Sequence, residues 1–124
     1  MTFADLEYEL TEGALIASVS GEIDMSNARA IVQGVSRATP NAVAGVILDL
    51  TGVHYLDSAG IHMIFRLRAG LNVRGQRLAV VIASSSPVHD ALQLAGVQGL
   101  IEVEETREAA VSAVRSSEKD PAST

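Results

Sequence analysis

The sequence predicts a single α/β domain with a mixed β-sheet and helices packed on it, in the order β-β-α-β-α-β-α-β-α. The chain has 124 residues and no internal repeat, which fits one domain. Hydrophobic residues make up 48% of the chain and charged residues 19%, so a packed core can form. Two strand patterns come first and strands then alternate with helices, which indicates an antiparallel hairpin followed by βα units.

The predicted hairpin is the first feature of the chain. Apolar and polar residues alternate over residues 4–10, which indicates a strand with one buried face. That face would hold four apolar side chains: Ala4, Leu6, Tyr8 and Leu10. The turn signal Thr11–Gly13 then leads into a second strand over Ala14–Ser20.

A helix and a central strand follow the hairpin. Apolar residues recur at helical spacing after Ser26, which is expected to be the N-cap, and the helix is expected to end at Thr39–Asn41. The segment Ala42–Leu50 is almost continuously apolar and rich in β-branched residues, which predicts a strand covered on both faces. Residues 51–57 are expected to form a connector.

The remaining predicted elements alternate between helix and strand. They cover residues 58–72, 77–83, 87–95, 100–103 and 107–115. Ser86 and Thr106 are expected to be N-caps, and Gly96 lies where a helix commonly ends in a left-handed residue. Residues 116–124 are polar and are expected to form a disordered tail.

Composition and charge exclude several classes of function. Nine Lys and Arg residues against fifteen Asp and Glu residues give a net charge of −6, which argues against a nucleic-acid-binding protein. The chain has no cysteine, so disulfides, thiol catalysis and cysteine-ligated metals are excluded. The acidic N-terminus does not resemble a signal peptide, and no apolar run is long enough to cross a bilayer. We therefore expect a cytoplasmic protein that does not contact a membrane.

One short segment combines residues typical of a functional site. Leu56–Ile61 follows the most buried predicted strand and begins a helix, at the edge of an open α/β sheet where ligands commonly bind. Asp57 and Ser58 are both preferred N-cap residues, so the pattern alone also fits a purely capping role. A hydroxyl at this position would be exposed, and a phosphate on it would meet free N–H groups and the positive end of the helix dipole.

Other chemistries lack residues that they require. Ser58 has Leu56 two positions before it, where the nucleophile elbow of a serine hydrolase has glycine. The histidines, at His54, His62 and His89, do not have the spacing of metal ligands. A phosphoaccepting Asp49, as in a response-regulator receiver domain, would need a lysine on a late strand, but the only lysine is Lys119 in the tail. We therefore expect no enzymatic activity, no metal and no other cofactor.

Three motifs resemble those of STAS domains. Gly21–Asp24 resembles their Gly-Glu-Leu-Asp motif, and Asp57–Ile61 resembles their Asp-Ser-Ser-Gly-Leu phosphorylation motif. Ser84–Pro87, followed by Leu92–Val97, resembles the loop and third helix of the family. The resemblance covers almost the whole chain and implies one STAS-like domain over residues 1–115, followed by the tail.

The chain most resembles the free-standing anti-sigma factor antagonists of bacteria. The resemblance implies that the unphosphorylated chain binds an anti-sigma factor, a serine/threonine kinase with a histidine-kinase-like ATPase, and so frees a sigma factor. The kinase would phosphorylate Ser58 and release the antagonist, and a PP2C-like phosphatase would reset it. The neighbours of the acceptor in the family motifs are Asp24, Asp57, Ala59 and Gly60, and Ala59 replaces the second Ser of the motif.

One helix face is left for a partner protein. At about 100° per residue, Ser58, His62 and Arg66 form a stripe that lies largely opposite the apolar residues of the same helix. We expect this stripe and the loop after the Gly21–Asp24 motif to bind the anti-sigma partner. The predicted partner-binding residues are Met25, Ser26, His62, Met63 and Arg66.

Two other functions stay open. A STAS scaffold or accessory subunit of a stressosome-type or lipid-transport complex would share the fold, although a Ser rather than a Thr at the acceptor position favours the sigma pathway. A small-ligand-binding domain would use the same edge of the sheet, but it would need a base or a metal cluster, and the sequence offers neither.

Overall fold

The computed structural model describes residues 3–97 and 99–118, which form one five-stranded sheet and four helices. The strands are β1 (Ala4–Thr11), β2 (Ala14–Ile23), β3 (Gly45–Leu56), β4 (Arg77–Val81) and β5 (Glu102–Glu104). The helices are α1 (Ala28–Ala38), α2 (Ser58–Val73), α3 (Pro87–Leu94) and α4 (Arg107–Glu118). The predicted order of elements is confirmed.

The strands lie in the sheet in the order in which they occur in the chain. β1 and β2 form the predicted antiparallel hairpin, and β3, β4 and β5 each pair in parallel with the strand before them. A parallel pairing needs a crossover, and α1, α2 and α3 supply one each. The carboxyl ends of β2, β3 and β4 therefore point the same way and carry the loops that lead into the helices.

Two cores of unequal size lie on the two faces of the sheet. Alternate residues of β3 point to opposite faces, so Leu48 belongs to the larger core and Ile47 to the smaller one. α1, α2 and α3 cover the larger core, whereas α4 alone covers the smaller core through Ala110 and Val114. The apolar part of β3 is thus buried on both faces, as its composition predicts.

β3 is longer than predicted. The expectation of a connector at residues 51–57 is wrong, because the strand continues to Leu56. β4 ends opposite Asp49, so the last part of β3 pairs only with β2, through two register shifts typical of bulges. Val53 and Leu56 are buried in the larger core, which explains why this segment stays extended. We call Ser20–Ile23 and Gly52–Leu56 together the β2–β3 extension.

The buried face predicted for β1 is only half correct. Ala4 and Leu6 pack against the larger core, but Tyr8 and Leu10 are 42% and 62% exposed. β1 is an edge strand, so these two side chains have cross-strand neighbours on one side only.

Local signals at α3 and α4 are confirmed. Ser86 and Thr106 each accept a hydrogen bond from a backbone N–H of the following helix, at 3.0 and 3.1 Å, and Gly96 has a φ of 72°. α4 continues to Glu118, past its predicted end near Arg115, and the rest of the predicted tail lies outside the described residues. In the part of the chain that the structure describes, no helix has the length and apolar character needed to cross a membrane.

Candidate functional site

Two aspartates stand side by side at the end of the β2–β3 extension. Ile23 and Leu56 are paired as the last residues of their strands, and Asp24 and Asp57 follow them directly. The Asp57 N–H donates to the Ile23 carbonyl oxygen at 3.3 Å, so the ladder continues into the turns. The two sequence motifs around these aspartates therefore meet at the carboxyl ends of β2 and β3, where loops commonly carry function.

Asp57 is the N-cap of α2. Its Oδ1 atom accepts hydrogen bonds from the backbone N–H groups of Ala59 (2.9 Å) and Gly60 (3.1 Å). These bonds satisfy two of the N–H groups that a helix start leaves unpaired, and they place a negative charge at the positive end of the helix dipole. Of the two cap candidates in the sequence, Asp57 is the cap and Ser58 is the first residue of the helix.

Ser58 is exposed, and its hydroxyl is unbound. Within residues 3–97 and 99–118, neither the Ser58 hydroxyl nor the Ser58 backbone N–H has a hydrogen-bond partner. Contrary to the expectation from the sequence, the other backbone N–H groups of the first turn are not free. The N–H groups of Ala59 and Gly60 donate to the Asp57 side chain, and the Ile61 N–H donates to the Asp57 carbonyl oxygen at 3.1 Å. The result is a single hydroxyl at the surface with a carboxylate as its chain neighbour.

The two residues after Ser58 hold the start of α2 against the strand ends. Gly60 is buried, and a Cβ atom added there would lie 2.7 Å from Leu56 Cγ and 3.2 Å from Ile23 Cγ2. Glycine therefore lets the helix begin close to both strands. Ala59 is half-buried and packs against the larger core, so its small size also serves packing.

The Asp24 turn is built differently. Asp24 Oδ1 accepts from both the N–H (2.8 Å) and the hydroxyl (2.6 Å) of Ser26. The Asn27 side chain closes the loop, since its Nδ2 donates to the Glu22 carbonyl oxygen at 2.9 Å and its Oδ1 accepts from the Asp24 N–H at 3.1 Å. α1 begins only at Ala28, so the prediction that Ser26 caps α1 is wrong.

Three serines lie near helix starts, and they differ in what their hydroxyls do. The Ser26 hydroxyl donates to Asp24 at 2.6 Å, and Ser86 Oγ accepts from the Val88 N–H at 3.0 Å. The Ser58 hydroxyl does neither within the described residues. A phosphoacceptor must reach the active site of a kinase as a nucleophile, and Ser58 is the one of the three that can do so without breaking a local bond.

The predicted exposed stripe on α2 is present. Ser58, His62 and Arg66 are all exposed, and Met25 in the neighbouring loop is 81% exposed. Met63 differs from the other predicted partner-binding residues, because its side chain is only 1% exposed and belongs to the larger core. α1 packs against α2 on this side and covers Met63, which a pattern within α2 alone does not reveal.

An ion pair between the buried Asp49 and the half-exposed Arg107, on the other face of the sheet, was not predicted. Asp49 is 4% exposed, and Arg107 donates from Nε to Asp49 Oδ2 at 2.6 Å and from Nη2 to the Ser18 hydroxyl at 2.8 Å. The Thr51 N–H and hydroxyl donate to Asp49 Oδ1 at 2.9 and 2.7 Å. Burial alone would raise the pKa of Asp49, but the bonds from Thr51 and Arg107 outweigh burial and hold the pKa below its ordinary value. Both carboxylate oxygens are thus engaged in joining α4 to the sheet.

Groups of histidines and carboxylates that could hold a metal ion are not found among residues 3–97 and 99–118. Two of the histidines lie near carboxylates: His54 Nε2 is 3.5 Å from Glu22 Oε2, and His89 Nδ1 is 4.0 Å from Asp90 Oδ1. The third, His62, lies on the exposed stripe of α2.

Comparison with known proteins relates this arrangement to one family. A family model described as the STAS domain matches residues 5–110. BtrV of Bordetella bronchiseptica, a candidate anti-sigma factor antagonist, is 26% identical over 112 residues, which are 89% of this chain and 94% of BtrV.

Solved structures have the same fold. An anti-sigma factor antagonist from Mycobacterium paratuberculosis is 26% identical with a TM-score of 0.79, over 91% of this chain and 95% of that chain. SpoIIAA of Bacillus in its unphosphorylated form is 21% identical with a TM-score of 0.71, over 90% of this chain and 97% of SpoIIAA. At 21% identity the second comparison bears on the fold alone. The predicted STAS-like architecture with a mixed sheet is confirmed.

Proposed function

We propose, since this chain belongs to the STAS domain family, that it is an anti-sigma factor antagonist controlled by phosphorylation of Ser58. The unphosphorylated chain binds an anti-sigma factor, a serine/threonine kinase with a histidine-kinase-like ATPase, and thereby frees a sigma factor. The kinase transfers phosphate from ATP to Ser58 and releases the chain, and a PP2C-like phosphatase restores binding. In this proposal the chain is a cytoplasmic regulator that catalyses no reaction and uses no cofactor.

One observation carries the proposal: the Ser58 hydroxyl is exposed and, in the described residues, unbound at the first position of α2. Ser26 and Ser86, which also lie near helix starts, use their hydroxyls in local hydrogen bonds. The similarity to antagonists from Bordetella and Mycobacterium supports the class of partner.

Phosphorylation is expected to act through charge rather than through refolding. A phosphate adds about −1.5 to −2 charges at neutral pH. At the first position of a helix this charge is tolerated by the dipole, and the Asp57 cap does not have to open because its bonds go to Ala59 and Gly60. The new charge adjoins the Asp57 carboxylate at an exposed edge, so it acts mainly on a surface that packs there.

The proposed partner surface consists of the exposed stripe of α2 and the loop beside it. It includes Met25, Ser26, His62 and Arg66, which are all exposed. None of these side chains belongs to the larger core, and the Ser26 hydroxyl is engaged by Asp24 within the loop.

The first test is phosphorylation in vitro. The chain is incubated with ATP and with each histidine-kinase-like serine kinase encoded by the source organism, and phosphate is mapped by mass spectrometry. We expect phosphate on Ser58 with one such kinase, complete loss in Ser58→Ala, and no loss in the matched controls Ser26→Ala and Ser86→Ala. Phosphate mainly on Ser26 or Ser86, or no phosphorylation of a folded chain by any of these kinases, would contradict the proposal.

The second test is binding, measured by calorimetry with the kinase that modifies Ser58. Ser58→Ala should bind like the wild type but should not be released when ATP is added. Ser58→Asp should bind more weakly, because it places a charge in the interface, although it carries one charge rather than almost two. If the phosphorylated chain binds as tightly as the unphosphorylated chain, the switch does not exist.

A further inference from the structure

A groove lies between α1 and α2, beside the start of the Ser58 helix. Its volume is about 180 Å³, which suits one large apolar side chain. The floor of the groove consists of four apolar residues: Ala28, Val32, Ala59 and Met63. Ala28 and Met63 are 8% and 1% exposed, so the floor is the outer layer of the larger core rather than a mobile surface.

The rim of the groove is basic. Arg29 on α1 and Arg66 on α2 line it and are exposed, and neither guanidinium has a hydrogen-bond or ion-pair partner within residues 3–97 and 99–118. Arg37, Arg68 and Arg77 also lack a side-chain partner within the described residues, whereas Arg107 pairs with Asp49 at 2.6 Å and Arg115 with Glu12 at 3.1 Å. Arg29 and Arg66 differ from the other unpaired arginines because they line the same apolar groove, in a chain with a net charge of −6.

The position of Arg29 is unfavourable for the fold. It lies in the first turn of α1, which contains no acidic residue, and the positive end of the helix dipole disfavours a cation there. No contact within the described chain offsets this cost. Residues that break a local rule without a structural gain are commonly found at functional sites.

We propose that this groove receives a segment of the anti-sigma partner in which one large apolar side chain is flanked by carboxylates. The floor would bury the apolar side chain, and Arg29 and Arg66 would bind the carboxylates through paired hydrogen bonds. The inference rests on the proposed function, because that function supplies the partner. It also gives a reason for release, since a phosphate on Ser58, one turn before His62, would repel an acidic segment.

The test uses a synthetic helical peptide with one leucine flanked by two glutamates as the probe. The isotope-labelled full chain is titrated and its amide resonances are followed. We expect saturable shifts centred on Arg29, Val32 and Ala59. Peptides with alanine in place of the leucine, or with lysines in place of the glutamates, should bind at least about fivefold more weakly.

Two variants on one helix give a matched control. Arg66→Glu should weaken binding of the acidic peptide by about fivefold or more, whereas Arg68→Glu, also exposed on α2 but outside the groove, should leave binding unchanged. Arg29→Glu should weaken binding while the melting temperature stays equal or rises, because the dipole favours an acid there. Equal effects of Arg66→Glu and Arg68→Glu, stronger binding of the lysine peptide, or shifts located elsewhere would overturn the proposal. Concentration-dependent shifts of the same amides without peptide would assign the groove to a second copy of the chain instead.

Phosphorylation of Ser58 is measured in parallel on the same samples. If a kinase modifies Ser58 but the acidic peptide shows no preference for the groove, the groove inference fails and the proposed function stands. If the peptide binds as expected but no kinase modifies Ser58, the proposed function fails, and with it the assignment of the segment to an anti-sigma factor.

Discussion

The Asp24 turn and the Asp57 turn start from the same situation and end differently. Each aspartate follows the last residue of a strand, and those two strand ends are paired. Asp57 binds only backbone N–H groups, and α2 begins at the next residue. Asp24 binds the N–H and the hydroxyl of Ser26, and α1 begins only at Ala28.

The difference arises two residues after each aspartate. The side chain of an aspartate in such a turn accepts a hydrogen bond from the N–H of the residue two positions later, and a hydroxyl on that residue donates to the same carboxylate. The Ser26 hydroxyl donates to Asp24 in this way, and the Thr51 hydroxyl donates to Asp49. Ala59 has no hydroxyl to offer to Asp57. Ser58 lies between Asp57 and Ala59, and its hydroxyl is unbound in the described structure, which is the property that a phosphoacceptor needs.

The largest effect is expected at Asp49, whose buried carboxylate also pairs with the half-exposed Arg107. Asp49→Asn should lower the free energy of unfolding by about 2–3 kcal/mol, because Arg107 loses a charged hydrogen-bond acceptor while Thr51 keeps its acceptor. Urea unfolding at pH 7 measures this loss. The matched control is Asp5→Asn, because Asp5 is exposed and lines the same small cavity, of about 200 Å³, as Asp49 and Arg107; the expected change is below about 0.5 kcal/mol.

The same ion pair gives a pH dependence. Because the pKa of Asp49 is lowered in the folded state, its stabilising contribution is complete above the ordinary pKa of about 4 and is lost as the pH falls through the folded-state value. The wild type should therefore lose more stability than Asp49→Asn when the pH is lowered from about 5 to about 3. Parallel acid unfolding curves of the two proteins would contradict this assignment.

The two turns also differ at the third residue after the aspartate, which is Gly60 in the Asp57 turn and Asn27 in the Asp24 turn. Gly60→Ala should cost about 2 kcal/mol, because the new Cβ would lie 2.7 Å from Leu56 Cγ. Gly70→Ala in the same helix meets no atom within 4 Å and should instead stabilise the protein by about 0.5–1 kcal/mol. Thermal unfolding of both variants checks the contrast, and a stable Gly60→Ala would show that α2 can start further from the strands.

A smaller effect is expected from the cap itself. Asp57→Ala should cost about 1 kcal/mol, because the N–H groups of Ala59 and Gly60 lose their acceptor. Asp57→Asn keeps an acceptor and should cost only a few tenths of a kcal/mol, the part due to charge at the helix dipole. Chemical denaturation measures both. Equal losses would mean that the charge, and not the hydrogen bonds, stabilises the start of α2.

The smallest effect on stability, and the sharpest test of the comparison, is expected from Ala59→Ser. The new hydroxyl should bind Asp57 Oδ1 as Ser26 binds Asp24, with a change in unfolding free energy below about 0.5 kcal/mol. Ser58 should remain the acceptor, and residue 59 should not be phosphorylated because its hydroxyl is occupied. Mass spectrometry of the phosphorylated variant tests this. Phosphate on both residue 58 and residue 59 would contradict the expectation that a hydroxyl bonded to the aspartate is not phosphorylated.

Local signals in the sequence were sufficient for much of the fold. Ser86, Thr106 and Gly96 act within one turn of where they stand, and the structure confirms each of them. Ser26 is a local signal that fails, because Asp24 two residues earlier takes its hydroxyl. The choice between these outcomes depends on how the preceding strand ends.

The features that were missed depend on residues far apart in the chain. The end of β3 is a strand because β2 lies beside it, and nothing within residues 51–57 reveals that partner. Met63 is buried because α1 covers it. Arg107 is 58 residues from Asp49, so the pair could not be found from spacing. For the candidate site, the position of Ser58 was predictable from its motif, whereas the state of its hydroxyl required the structure.

The β2–β3 extension separates the candidate site from the buried core of the sheet. Ser58, Asp24 and Met25 are carried past the last residue of β4, beyond the part of the sheet that is buried on both faces. Exchanges of exposed side chains there typically alter stability by less than about 0.5 kcal/mol, so they do not draw on the margin that keeps the domain folded. After gene duplication, two copies can thus diverge in the surface that they present at this end of the sheet while they keep one core.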